Sequence, residues 1–437
     1  MSSNDGSYYD RLKYASYKRF HPNYEGNRIK SIDWWKGYAI MWIAFEHLLG
    51  DWLTNDSLWF AKVLLLYLEI LGNTTFLFFA GVNITLKWRF ARLKGANWKP
   101  FFIATVQKMM ALLFISICSN FVLSIYYGDG VITWEFSSFF RYTVLQCLAF
   151  SVIIAAIFVK MNVWGRLMAA ILILTLSLPT YQYLASIRAV SATAKAITVA
   201  IFDPYFAVPL FPMVAYTIVG SVAVDFLLPY KYPSMKENEE YYGEVFGIFG
   251  KRPDMHKSYA TYIILFGISA LSLMLSLIFG HGPNRTPLFD GVASSWFSAL
   301  DDHVLITELL GYIPEFLVVN HPINYVYKLS LISVIFCIIF YYFDLVQDES
   351  YKPSALSRAW IFMGKISLSY WIYVAAFNLI PIDTNPIVIW PFMIGARSLL
   401  SYIFKKNIKY YKGVGLIEWV IIFSSFTWVK VKKKKKK

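Results

Sequence analysis

An all-α polytopic membrane bundle of about ten transmembrane helices, with N- and C-termini in the cytoplasm, is the architecture this chain predicts. Two observations predict it. The chain has 437 residues, 57% of them hydrophobic, and a positive mean hydropathy, which is too apolar for a pair of soluble domains and too long for one span. Apolar runs of roughly 17 to 25 residues, the length that crosses about 30 Å of hydrocarbon, recur from residue 36 onward and lack the two-residue alternation of a membrane barrel.

The spans fall near 36–53, 64–86, 102–125, 139–160, 165–183, 206–228, 258–280, 327–345, 359–380 and 386–404. Residues 1–30 form a polar cytoplasmic segment with no apolar core and cleavage site of a signal peptide, so the first span directs insertion. Residues 31–405 form the membrane domain, and 406–437 hold an amphipathic interfacial segment and a lysine tail. The stretch 413–429 is apolar but short and carries Glu418; as an eleventh span it would export the tail, so it is read as lying at the cytoplasmic interface.

Charge sets the orientation. Lys87, Arg89, Arg92, Lys94 and Lys99 follow the second span and hold that connection in the cytoplasm, so the first helix runs from inside to outside. The net charge of +14 gathers in such connections and in the tail rather than along one helix face, which argues against nucleic acid and for positive-inside topology with membrane lipid as the surrounding partner. Cys118, Cys147 and Cys337 all fall in spans, with no disulfide framework and no metal spacing.

The first span, RIKSIDWWKGYAIMWIAFEHLLGDWL, carries ionisable groups where hydrocarbon tolerates them only if they pair or line a polar cavity. At 100° per residue, positions 36, 40, 43, 47 and 51 form one stripe, so Lys36, His47 and Asp51 share a face. Lys36 to His47 is three turns, roughly 16 Å, which carries His47 to about mid-membrane. Asp51, one turn further, is placed to accept from one imidazole nitrogen and leave the other free to take a proton, the arrangement of a general base. The alternative is a buried histidine bonded to a neighbouring helix. Lys36 either holds a phosphate-bearing ligand or snorkels to the head groups. Glu46 points about 100° away. Asn73 and Asn83 on the second span, and Gln146 opening the fourth, either line a ligand or pack helices. Arg141 reads as a surface anchor, and His303 and His321 as loop residues.

These residues resemble the transmembrane acyltransferase superfamily, which includes the acyltransferase-3 enzymes and the catalytic region of heparan-alpha-glucosaminide N-acetyltransferase. The opening pattern of that superfamily stands here as Arg28, Ser31, Ile32, Asp33, Lys36, Gly37 and His47. FLFFAGVNITL, with Phe78, Phe79 and Gly81, is similar to its phenylalanine-rich second helix, YTVLQCLAFS to its V-L-Q segment, and FPMVAYTIVG, with Phe211, Pro212, Tyr216 and Gly220, to a later helix. GKISLSYW at Gly364 and GLIEW near the C-terminus are similar to late motifs. Lys36 stands where the pattern has arginine, which keeps the charge and loses the bidentate fork; no histidine follows the late S-L pair.

The resemblance implies a multi-pass cell-membrane acyltransferase that moves an acyl group, acetyl above all, from cytoplasmic acyl-CoA to a glycan, lipid or other envelope acceptor, with no metal. It implies His47 as base or acyl carrier and Asp51 as its orienter. Arg28, Lys36 and the 87–99 cations become candidates for the CoA phosphates. Two other readings fit the residues alone: a proton-coupled transporter or lipid flippase using His47 and Asp51 as a relay, and a scaffold whose polar groups hold helices together.

Overall fold

The computed structural model describes residues 29–54, 72–93, 95–124, 143–187, 209–231, 245, 260–282, 314–317, 321–346, 353–375, 385–411, 416–418 and 420–421, without the side chains of 46–51, 93, 121–124, 178, 181–182, 184–187, 230–231, 260, 373–375 and 386. Its elements are helical: α1 (Lys30–Trp52), α2 (Asn73–Leu93), α3 (Trp98–Ser124), α4 (Val144–Phe158), α5 (Val163–Ile187), α6 (Leu210–Lys231), α7 (Ala260–Phe279), α8 (Pro322–Phe340), α9 (Ala355–Lys365), α10 (Ser367–Ala375) and α11 (Pro386–Tyr411). Five stretches among the described residues are long and apolar enough to cross a membrane: Trp98–Asn120, Leu210–Pro229, Thr261–Phe279, Pro322–Val346 and Ile387–Tyr411.

Three departures from the sequence expectation have a local reason. The second helix runs on to Leu93, so most of the basic connection is helix rather than loop. It stops at Gly95, which adopts φ +73° and donates to Arg92 O at 2.8 Å while Ala96 donates to Ala91 O at 3.0 Å, a Schellman termination that needs a left-handed residue. The eighth helix continues as a π-turn over Tyr341–Val346. The expected 359–380 span is two helices, because Ile366 leaves helical geometry at φ −126°, ψ 37° and its N–H turns back to Met363 O.

The chain divides into two compact units: Met1–Asn55, Ile103–Arg141 and Ser350–Lys437 form one, and Asp56–Phe102 with Tyr142–Glu349 the other. Inside a membrane, lipid tails are as apolar as leucine, so helices associate by close packing and internal hydrogen bonds rather than by escape from water. In the second unit α2 crosses α6 at Gly81 and Gly220. A methyl on Gly81 would lie 1.7 Å from Thr217 O, and one on Gly220 would lie 2.0 Å from Phe78 O. Beside this crossing Phe78, Phe79 and Phe336 stack edge to face with centroids 5.2 to 5.7 Å apart. Ala170, Val214, Ala215 and Ile218 close the α5–α6 seam, and Thr261 Oγ1 donates to Phe226 O at 3.0 Å to tie α7 to α6.

In the first unit α1 lies on α9 through a second reciprocal crossing. A methyl on Gly37 would lie 1.9 Å from Trp360 O, and one on Gly364 would lie 1.7 Å from Asp33 O. The glycines of four separate motifs thus form two pairs of close backbone approach, one pair in each unit.

Candidate active site

The helix that carries the candidate catalytic residues is unbroken from Lys30 to Trp52, so positions 36, 40, 43, 47 and 51 keep their common register along it. The other side of α1 makes aromatic contacts within the first unit. Trp34 and Tyr38 stack at 5.8 Å, Tyr38 meets Trp360 of α9 at 5.5 Å, and further along Phe45 and Trp52 meet Trp390 and Phe392 of α11 at 4.3 and 4.7 Å. Residues 38, 45 and 52 are seven apart and lie far round the helix from 36, 40, 43 and 47. Ile40 and Ile43 on the candidate stripe are both buried to 1% exposure.

Lys36 is half-buried at the base of that stripe, with its Nζ 4.0 Å from Asp33 Oδ1 one turn back. The sequence motif thus brings its cation and its carboxylate together as an i, i+3 pair. The side chains of Glu46, His47 and Asp51 lie outside the described residues, as do Arg28, Arg141 and His303.

Three further candidates sit in the second unit. Asn73 opens α2, and its Oδ1 is buried with no hydrogen-bond partner among the described residues. Asn83 is half-buried on the same helix. Gln146 closes a capping box on α4: its Oε1 accepts from Thr143 N at 2.9 Å, which satisfies one of the orphan donors of a helix start. His321, expected in a loop, caps α8 by accepting from Ile323 N at its Nδ1, 3.3 Å away.

The structure corrects one group of donor-site candidates. Arg89, counted among the cations available to a CoA phosphate, is only 2% exposed and is committed elsewhere. Its Nε and Nη2 reach Asp225 Oδ1 and Oδ2 at 3.0 and 2.9 Å, a bidentate fork between α2 and α6. Arg166 of α5 joins from the other side, donating from Nη2 to Asp225 Oδ2 and from Nη1 to Ser221 O and Oγ at 2.7 and 3.1 Å. Lys87, Arg92 and Lys99 remain exposed. The length of α2 explains the difference, because two extra turns place Arg89 inside the bundle rather than beyond it.

Sequence reasoning passed over Asp225, Arg166 and the role of Glu418. Glu418 Oε1 accepts from Leu368 N and Ser369 N at 2.8 and 3.2 Å, its Oε2 accepts from Ser369 Oγ, and Ile417 N donates to Ser369 Oγ at 3.0 Å. A carboxylate from the C-terminal segment thus caps the N-terminus of α10, where unsatisfied N–H groups and the helix dipole favour negative charge. Burial pushes the Glu418 carboxyl up, and the hydrogen bonds from α10 work against that push. The signal in sequence was the pairing of GKISLSYW with GLIEW, two motifs that turn out to be one contact.

No curated protein and no solved structure matches the chain. The family model described as heparan-alpha-glucosaminide N-acetyltransferase, catalytic, matches residues 28–253. That span holds α1 with its stripe, the α2–α6 glycine crossing and the Asp225 triad, and it covers more than half of the chain, so this membrane protein belongs to the family of the heparan-alpha-glucosaminide N-acetyltransferase catalytic domain, whose members are transferases.

Proposed function

We propose that the chain is a multi-pass cell-membrane acetyltransferase of about ten spans with cytoplasmic termini, which passes an acetyl group from cytoplasmic acetyl-CoA to an acceptor reached from the opposite side. The observation that carries the reading is α1: it lies within the family match, runs unbroken, and bears Lys36 at its base with His47 and Asp51 on the same register stripe. The family's name supplies the acceptor class, an amino sugar of a glycan; an envelope hydroxyl is the alternative acceptor.

In this mechanism Lys36, with Arg28, meets the donor's phosphates near the inner surface, about 16 Å below His47. The acceptor nitrogen attacks the thioester carbonyl, the carbon–sulfur bond breaks, and CoA leaves as the thiol. His47 removes the proton from the attacking amine and delivers it to the departing sulfur, while Asp51 one turn away fixes the imidazole tautomer. Attack by His47 itself, with a short-lived acetyl-imidazole, uses the same residues. Glu46 is the acceptor-lining candidate on α1; in the second unit Asn73, Asn83 and Gln146 are candidates each taken by itself, and the Asn73 Oδ1, without a partner among the described residues, is suited to accept from a sugar hydroxyl or amine.

The test is acetyl transfer by the purified full-length protein from labelled acetyl-CoA to glucosamine-terminated glycans. His47→Ala is expected to lower the rate by about 100-fold or more, the usual scale of a lost general base, with acetyl-CoA binding retained. Transfer that survives the substitution removes His47 from the mechanism, and wild-type protein that neither binds nor cleaves acetyl-CoA overturns the donor assignment.

A further inference from the structure

The C-terminal turns of α11 carry a surface that the transfer reaction does not use. Helix α11 contains no aspartate or glutamate over its whole length. Its buried side is Leu400, Phe404 and Ile408, spaced by four, and the opposite arc presents Tyr402, Lys405, Lys406, Lys409 and Tyr410, all exposed. Each lysine lies over an aromatic ring: Lys405 over Phe362 of α9 at 5.4 Å, Lys406 over Tyr402 at 4.6 Å and Lys409 over Tyr410 at 5.2 Å. Among the described residues no carboxylate comes within ion-pair distance of any of the three. The first half of the helix exposes apolar bulk at Ile387, Val388, Trp390 and Ile394, followed by an exposed Ser398 and a half-buried Arg397 that lies over the Trp360 ring at 4.6 Å.

We propose that this arc binds the phosphate head groups of anionic phospholipids. Depth supports the assignment, since Ile387 to Lys405 is 18 residues, about 27 Å of helix, close to the roughly 30 Å of a hydrocarbon core. The lysines therefore begin where head groups begin, and tyrosines belong at that level. Charge complementarity selects the partner. Three cations with no acidic neighbour among the described residues, held in place by cation–π contact at the negative end of the helix dipole, attract a phosphodiester that carries net charge and discriminate against a zwitterion.

The experiment uses the full chain in nanodiscs of phosphatidylcholine alone or mixed with phosphatidylglycerol, with co-purifying lipid read by native mass spectrometry. The wild type is expected to retain phosphatidylglycerol in preference to phosphatidylcholine. Replacing Lys405, Lys406 and Lys409 together by Gln lowers that preference by roughly tenfold or more, since each engaged lysine is worth about fivefold near an anionic surface. Replacing them by Arg restores it, which separates loss of charge from misfolding. A companion variant with Gln at 432–437 retains the preference. Equal retention in the wild type and the Gln variant overturns the proposal. Loss of the preference in the tail variant alone, or complete competition by inorganic phosphate, overturns it as well.

Discussion

Asp225 is the residue on which three helices of the second unit converge, and its two oxygens are shared by Arg89 and Arg166 with all three side chains almost fully buried. Removing one member of such a group strands a charge in low dielectric, at a typical cost of 3–5 kcal/mol. Asp225→Ala is therefore expected to unfold or mislocalise the protein, and Asp225→Asn to lower its thermal midpoint, measured in detergent by tryptophan fluorescence. His321 offers a milder test. Burial pushes its imidazole below the ordinary value of 6.5, with Glu315 pulling the other way, and only the neutral ring can accept from Ile323 N. A depressed value means stability that is present above pH 6.5 and is lost as the pH falls through the folded value. The wild type should lose thermal stability on acidification over that window, whereas His321→Asn, which caps at every pH, should show a flatter profile. Neither residue was legible beforehand. Asp225 sits in an apolar run whose pattern marks only a span, and its partners lie 136 and 59 positions away.

At the scale of elements, the glycine crossings give the short motifs a physical meaning. The match of FLFFAGVNITL to FPMVAYTIVG, and of the opening WWKGY to GKISLSYW, could be noticed as separate apolar strings; the structure joins each pair as two helices whose backbones touch. Gly220→Ala places a methyl against Phe78 O, and because a carbonyl on a rigid helix cannot step aside as a flexible side chain would, the helices must separate. The expected cost is about 1–3 kcal/mol or more, read as a lowered denaturation midpoint, and Gly364→Ala should behave alike in the first unit. Gly267 and Gly395, with nothing within 4 Å of an added methyl, are the controls and should tolerate alanine. Helix existence was legible because hydrophobic length is a strong signal. Helix ends were not: Gly95 stops α2 through a left-handed turn, and the break at Ile366 is followed by an α10 start capped by Glu418, 50 residues beyond Leu368, which no local pattern reveals.

At the scale of the molecule, charge and hydropathy led to a helical membrane protein, and five described stretches have the length and apolarity to cross a bilayer. Helix α1 is not among them, because Asp33, Lys36, Glu46, His47 and Asp51 dilute its apolar character. The same polar groups that lower the hydropathy of α1 mark it as a site, so the two signals compete within one segment. The family match reaches residue 253, while α7 to α11 carry the motifs' later partners, including the glycine on which α1 rests.

The Glu418 clasp fixes where this chain tolerates being cut or extended. A fusion joined directly after Tyr411 would discard the acceptor of Leu368 N, Ser369 N and Ser369 Oγ together and leave the start of α10 bare, whereas a junction beyond Ile421 keeps the clasp intact. For anyone appending a reporter or an affinity handle, the last safe boundary is set by a carboxylate rather than by the end of the last long helix.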